Sequence, residues 1–202
     1  MIFKIFELLL TAVIAYLIGS IPTGYLIVKA KTGQDIRNVG SGSTGATNVK
    51  RVLGKKWFFT VMVLDAIKGA FPVFLAKIFV STASSIGLAP VVAAIAVIVG
   101  HSKPIFLGFK GGKSVASGVG TIIALNWVAG IIIAMTWGVI TYITKYVSVG
   151  SIIALALSPF IMYFLDLPVA YICYCALGAI YIIYLHRENI KRLINGNENK
   201  VR

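Results

Sequence analysis

Acid is scarce in this chain: six Asp and Glu stand against nineteen Lys and Arg in 202 residues, a formal net charge of +13. Charge of either sign is scarce too, at 12% of residues, where a soluble domain carries about 25%. That leaves too little polar surface to cover a water-soluble fold. Two cysteines and two histidines exclude a disulfide-stapled secreted fold and give no cluster with metal-site spacing. Cys173 and Cys175 lie two apart in an apolar run, do not face each other on a helix, and read as small interior residues. Disorder is excluded as well, because 58% of the residues are hydrophobic. What remains is the composition of a membrane protein.

Apolar runs that approach the ~30 Å of bilayer hydrocarbon fall at residues 7–28, 57–80, 86–100, 115–126, 128–144, 149–165 and 168–185. They predict one all-α domain over residues 1–202, a bundle of seven transmembrane helices. Lys4 ahead of the first run suits a signal peptide, but with six runs behind it a retained helix is expected. The third and fourth runs are short. Either they extend into the polar loop between them or they stop part-way, as helices lining a cavity do, so six crossings plus a re-entrant pair is the alternative.

Seven crossings place sixteen of the nineteen basic residues on one face: seven in 29–56, three in 101–114, Lys145, and five in the tail. Lys4 and Lys77 fall on the other face, and Lys68 lies within a span. Positive residues stay cytoplasmic, so the N-terminus is expected outside and the C-terminus in the cytoplasm. The outer connections, around Ser81–Ser85, Asn126–Trp127 and Asp166–Pro168, are short and carry little chemistry. Basic residues set between apolar runs serve topology and anionic lipid, so nucleic acid is not expected as a partner.

Three polar segments exceed what a connector needs. The first runs from Arg37 to Arg51 and includes Gly40, Ser41, Gly42 and Asn48. Glycines let backbone N–H groups approach an anion, hydroxyls add donors, and Arg grips phosphate through two parallel bonds. Gly40 to Gly45 matches the G-x-G-x-x-G fingerprint of dinucleotide sites, but no strand precedes it and Asp65 falls in a span, so that reading is rejected. A small-phosphate site and a flexible basic loop against anionic lipid remain.

The second segment runs from Gly100 to Ser114 and holds His101, Lys110, Gly111, Gly112 and Lys113. Its GGKS end imitates a nucleotide-binding P-loop, but the glycine required five residues before Gly112 is Leu107. Paired glycine N–H groups, two lysines and a helix starting near Ser114 predict an oxyanion cradle, against a plain glycine hinge. In the third segment, Leu185 to Glu198, Ile190, Leu193 and Ile194 recur at helical spacing among basic residues, as in an interfacial amphipathic helix. His186 and Asn189, three apart, share a face of it. Asp65 and Lys68, also three apart but inside a span, predict a structural ion pair or a contact to substrate.

Together the segments resemble the bacterial membrane family of acyl-phosphate:glycerol-3-phosphate acyltransferases. The resemblance rests on VGSGSTGATNVKRVLG at 39–54, LDAIKG with Pro72 at 64–72, GHSKPIFLGFKGGKSVAS at 100–117 and HRENIKRLINGNE at 186–198. It covers nearly the whole chain. Ser43 and Thr44 stand where the family often has Asn followed by Pro, Ile or Val, and Ser114 and Ser117 replace its usual Gly and Thr.

What the resemblance implies is transfer of a fatty acyl group from acyl phosphate to the 1-hydroxyl of glycerol 3-phosphate, at the cytoplasmic face of a bacterial cell membrane. The products are lysophosphatidate and phosphate, in the first acylation of phospholipid synthesis. Ser41, Arg51, Lys113, His186 and Asn189 are its implied catalytic residues. Gly40, Gly42, Asn48, His101, Lys110, Gly111, Gly112, Ser114 and Glu198 complete the substrate-binding set. His186 is read as an anchor for glycerol 3-phosphate or as the general base. No cofactor, metal or acyl-enzyme is expected, and the soluble phosphate acyltransferase that makes acyl phosphate is a candidate partner. A transporter for a small phosphate compound is the rival from another class, against which stand the lack of an internal repeat and the gathering of polar motifs on one face. A non-catalytic membrane scaffold is the third reading.

Overall fold

The computed structural model describes residues 2–80 and 87–201. Among them there is no strand. The helices are α1 (Ile2–Ser20), α2 (Thr23–Thr32), α3 (Ala46–Leu53), α4 (Lys55–Phe79), α5 (Leu88–Ser102), α6 (Val115–Leu125), α7 (Trp127–Thr144), α8 (Val147–Phe164), α9 (Val169–Leu185) and α10 (Arg187–Ile194). The outer connection expected around Ser81–Ser85 lies outside the described residues.

Five stretches are long and apolar enough to cross a bilayer: Ile2–Thr32, Lys55–Phe79, Leu88–Leu107, Trp127–Thr144 and Val147–Phe164. A sixth is α9 with α10, bent by 59° at His186. The two short runs resolve differently. The third extends into the polar loop, through Ser102 and a 3₁₀ turn at Ile105–Leu107, whereas α6 keeps only 11 residues. The first run is also interrupted, because Pro22 has no N–H to continue a helix and α1 stops at Ser20.

With lipid outside, helices gain little from hiding leucines and instead associate where small residues let backbones touch. Gly19 of α1 abuts the Val97 backbone of α5, and Gly100 of α5 abuts Tyr16 of α1. Gly69 of α4 lies on Ser117, and Gly120 of α6 on Ala66, so α6 is clasped to α4 at both ends of its first turns. A Cβ at any of these positions would collide with backbone. Large side chains such as Phe59, Phe71, Ile131 and Phe160 point outward, as a lipid-facing surface requires.

Asp65 and Lys68 of α4 form the expected ion pair at 2.8 Å, both almost fully buried. Lys68 also donates to the Ile21 carbonyl at 2.7 Å, and the Thr23 hydroxyl donates to Asp65. The pair therefore staples the break between α1 and α2.

Candidate active site

The first segment is a loop wound around one side chain. Gly40 and Gly42 take positive φ, +60° and +68°, which glycine adopts without strain. Asn48, 1% exposed, donates to the carbonyls of Val39 (2.9 Å), Ser43 (3.0 Å) and Ile36 (3.2 Å) and accepts from the Ser41 N–H at 3.0 Å. The Ser41 residue and Arg51 are left exposed, with the Arg51 stem beside Gly40. Arg37, paired with Asp35 at 2.6 Å, reaches the Leu107 carbonyl at 3.2 Å and ties this loop to the second segment.

The second segment overturns one expectation. The N–H groups of Gly111 and Gly112, offered to an anion by the sequence, donate instead to the Ser102 and His101 carbonyls, each at 3.2 Å. Their missing side chains serve close packing: a Cβ on Gly111 would strike the His101 carbonyl, and one on Gly112 the His101 ring. The hairpin-like return along the end of α5 leaves Lys113 as the feature presented to a ligand. Ser114 follows at φ +60°, a strained geometry for a side-chain-bearing residue, and its hydroxyl is anchored on the Ile98 carbonyl at 2.8 Å. That conformation accounts for glycine being usual there in the family resembled.

The third segment meets the second directly. Lys113 Nζ donates to Asn189 Oδ1, and Asn189 Nδ2 donates to Glu198 Oε1 at 2.6 Å. Glu198 also accepts from Arg192 (2.7 Å) and from Ser148 at the start of α8 (2.9 Å). The tail beyond is fastened by the Val201 N–H on the Lys145 carbonyl at 2.7 Å. His186 Nδ1 lies 2.8 Å from the Ile182 carbonyl. A carbonyl only accepts, so Nδ1 carries the hydrogen and Nε2 is the nitrogen left for chemistry.

Burial, with Arg192 and Arg51 close by, pulls the Lys113 ammonium down to about 8 against the opposing pull of Glu198. Burial pushes the Glu198 carboxyl up, but hydrogen bonds from Asn189, Arg192 and Ser148 outweigh it and hold the group below its ordinary value. Arg51, Lys113 and Arg192 thus share one field with Glu198, and His186 feels Lys113 and Glu198 as well.

Of the expected residues, Arg51, Lys113, His186, Asn189 and Glu198 are brought together, with Gly40 and Ser41 at the Arg51 side. Gly42 and Lys110 are on exposed loop surface. Asn48, Ser114 and His101 are buried and occupied with the protein itself. The sequence reading did not single out Ser148 or Arg192; one is a hydroxyl just ahead of the 149–165 run, the other one basic residue among five in the tail. Among the described residues no group of three His, Cys, Asp or Glu is placed to hold a metal ion.

Fold and site define an all-helical integral membrane protein whose separated polar loops build one cationic cluster. The family model described as glycerol-3-phosphate acyltransferase matches residues 9–196. A glycerol-3-phosphate acyltransferase of Nostoc sp. is 44% identical over 201 residues, covering 93% of this chain and 89% of the relative. A glycerol-3-phosphate acyltransferase 2 of Thermotoga maritima is 43% identical, covering 94% of each chain. The crystal structure of PlsY (YgiH), an integral membrane glycerol 3-phosphate acyltransferase, in its glycerol 3-phosphate form, matches with a TM-score of 0.90 and 37% identity over 96% of each chain. The lysophosphatidic acid form gives a TM-score of 0.88 at 35% identity, over 96% of this chain and 95% of the other. The chain belongs to the glycerol-3-phosphate acyltransferase family of integral membrane enzymes.

Proposed function

We propose that this protein transfers an acyl group from acyl phosphate to the 1-hydroxyl of glycerol 3-phosphate. The hydroxyl oxygen bonds to the acyl carbon, the bond from that carbon to the phosphate oxygen breaks, and the hydroxyl proton ends on phosphate or water. Lysophosphatidate and inorganic phosphate leave. The observation that carries this reading is the Lys113–Asn189–Glu198 network, which joins two distant segments in the field of Arg51 and Arg192. Two phosphates of like charge need such an excess of fixed cations. Relatives solved with glycerol 3-phosphate and with lysophosphatidic acid support the same substrate and product.

In this mechanism Lys113, at the head of α6, holds the donor phosphate and stabilises it as it departs, with Ser41 donating to the same group. Arg51, His186 and Asn189 seat glycerol 3-phosphate, with Gly40, Gly42 and Lys110 on the loops that flank them. Asn48, His101, Gly111, Gly112, Ser114 and Glu198 hold these groups in place. Because the donor is already activated, much of the rate comes from positioning. The N-terminus lies outside, and the site faces the cytoplasm of a bacterial cell, where a soluble enzyme supplying acyl phosphate has access.

The deciding experiment gives purified protein acyl phosphate and labelled glycerol 3-phosphate. One labelled lysophosphatidate and one inorganic phosphate per turnover are expected; product only from a thioester donor would overturn the assignment. His186→Asn is expected to raise KM for glycerol 3-phosphate with kcat largely kept. Collapse of kcat at saturation would make His186 the base instead.

A further inference from the structure

The buried charges of α4 do more than close a helix break. A carboxylate and an ammonium inside a bundle are costly, and replacing such a pair by apolar residues is often neutral or stabilising. Stability alone therefore gives no reason for Asp65, which is 2% exposed. Its Oδ1 is a point of convergence. Lys68 of α4 lies 2.8 Å from it, Thr23 at the start of α2 donates to it, and His101 Nδ1 near the end of α5 stands 3.7 Å away.

Each partner leads to a different loop. Thr23 precedes Gly24, which packs so tightly on the Thr44 carbonyl that a Cβ would collide, so α2 and the loop containing Ser41 are in direct backbone contact. His101 carries the Gly112 turn on two supports: its carbonyl accepts the Gly112 N–H, and its ring lies against the Gly112 α-carbon. The ring is held in turn through that same Nδ1, 3.1 Å from the Ser117 hydroxyl, so Asp65 at 3.7 Å is a packing neighbour of the ring and not a hydrogen-bond partner. Lys113 is the next residue.

We infer that Asp65 is a positioning residue for acyl transfer, setting the Ser41–Arg51 loop through Thr23 and the Gly112–Lys113 turn through His101. This rests on the function proposed above. His101 is accordingly a support for Lys113, and the two anion-binding loops share one anchor within the bundle.

The test compares Asp65→Asn, His101→Gln, their double variant, Thr23→Val and Thr23→Ser, with both substrates varied and thermal unfolding followed alongside. Asp65→Asn is expected to lower kcat roughly ten- to a hundredfold, the scale of a ~1 Å misplacement, and to raise KM for glycerol 3-phosphate. His101→Gln lowers kcat with that KM little changed. The double variant is slowed by less than the product of the two single effects, since the two side chains share one contact; fully multiplicative effects would count against the anchor. Thr23→Val raises KM for glycerol 3-phosphate, and Thr23→Ser, which keeps the donor, restores it.

Wild-type kcat in folded Asp65→Asn or His101→Gln would overturn the inference, as would equal defects in the two Thr23 variants. Should Asp65→Asn fail to fold, His101→Gln and the Thr23 pair still decide. If the wild-type protein forms no lysophosphatidate, the functional reading has failed. If it does and His101→Gln keeps its kcat, the anchor alone has failed.

Discussion

Two turns of this protein are rich in glycine, for reasons that overlap only in part. In the loop around Asn48, Gly40 and Gly42 are needed for their positive φ, Gly40 also has no room for a Cβ beside Asn48 Oδ1, and the chain curls about a buried amide that gathers its carbonyls. In the turn before α6, Gly111 and Gly112 are absent from the positive-φ residues, and a side chain is excluded there because the end of α5 is in the way. The first turn bends, and the second docks. The second turn's resemblance to a nucleotide-binding loop does not survive this, since its paired N–H groups already have acceptors.

The comparison breaks most visibly at the charge the second turn delivers. Lys113→Ala should lower kcat about a thousandfold, the scale of losing a preorganised transition-state contact, measured as lysophosphatidate formed at saturating substrates. Retention of a tenth of wild-type activity would sink the assignment of Lys113 to the departing phosphate.

Next comes pH. Lys113 titrates at about 8, depressed by burial, so its charge is present below that pH and lost as pH rises through it. kcat/KM for the donor should fall about tenfold per pH unit above the limb. Lys113→Arg should remove the limb from whatever activity it retains. A flat wild-type profile from about pH 7 to about pH 10 would contradict this.

Two substitutions then separate bending from docking. Asn48→Ala strips the first loop of its organiser and should destabilise the fold by roughly 1–3 kcal/mol, the penalty for orphaned buried polar groups, while raising KM for glycerol 3-phosphate. Gly112→Ala forces a methyl against the His101 ring and should destabilise by roughly 1–3 kcal/mol through overpacking, with kcat falling first. Equal shifts of the same kinetic parameter in both would erase the distinction. The smallest effect belongs to Gly108, at φ +60° with open space around it. Gly108→Ala should lower stability by about 1 kcal/mol and leave kcat at the wild-type value, as thermal unfolding and steady-state rates would show.

Much of this was legible in the sequence. The apolar runs predict the helices, and the polar strings that carry the resemblance lie in the loops that meet. The Asp65–Lys68 pair follows from spacing alone, because residues three apart share a helix face. What was illegible depends on direction and distance along the chain. Ser148 reaches Glu198 across 50 residues, and Lys113 reaches Asn189 across 76, with nothing local to mark either contact. The glycine pair was misread for a related reason: composition tells that N–H groups are bare of side chains, not that an upstream helix has already claimed them. The break at Pro22 was visible as a proline within an apolar run, but hydrophobicity averaged over the run hides it.

The shortness of α6 has a bearing on how a greasy donor is handled. Eleven residues rise only about 16 Å, roughly half of the ~30 Å hydrocarbon slab. So short a helix would, in the proposed reaction, set Lys113, two residues ahead of it, closer to the acyl-chain region than the head of a full-length span. In the proposed reaction the acyl tail can stay dissolved among lipid tails while its phosphate is gripped, and none of its methylenes, each about 0.8 kcal/mol to expose to water, has to be pulled out. In that reaction the product would leave with its acyl chain already among the lipid tails.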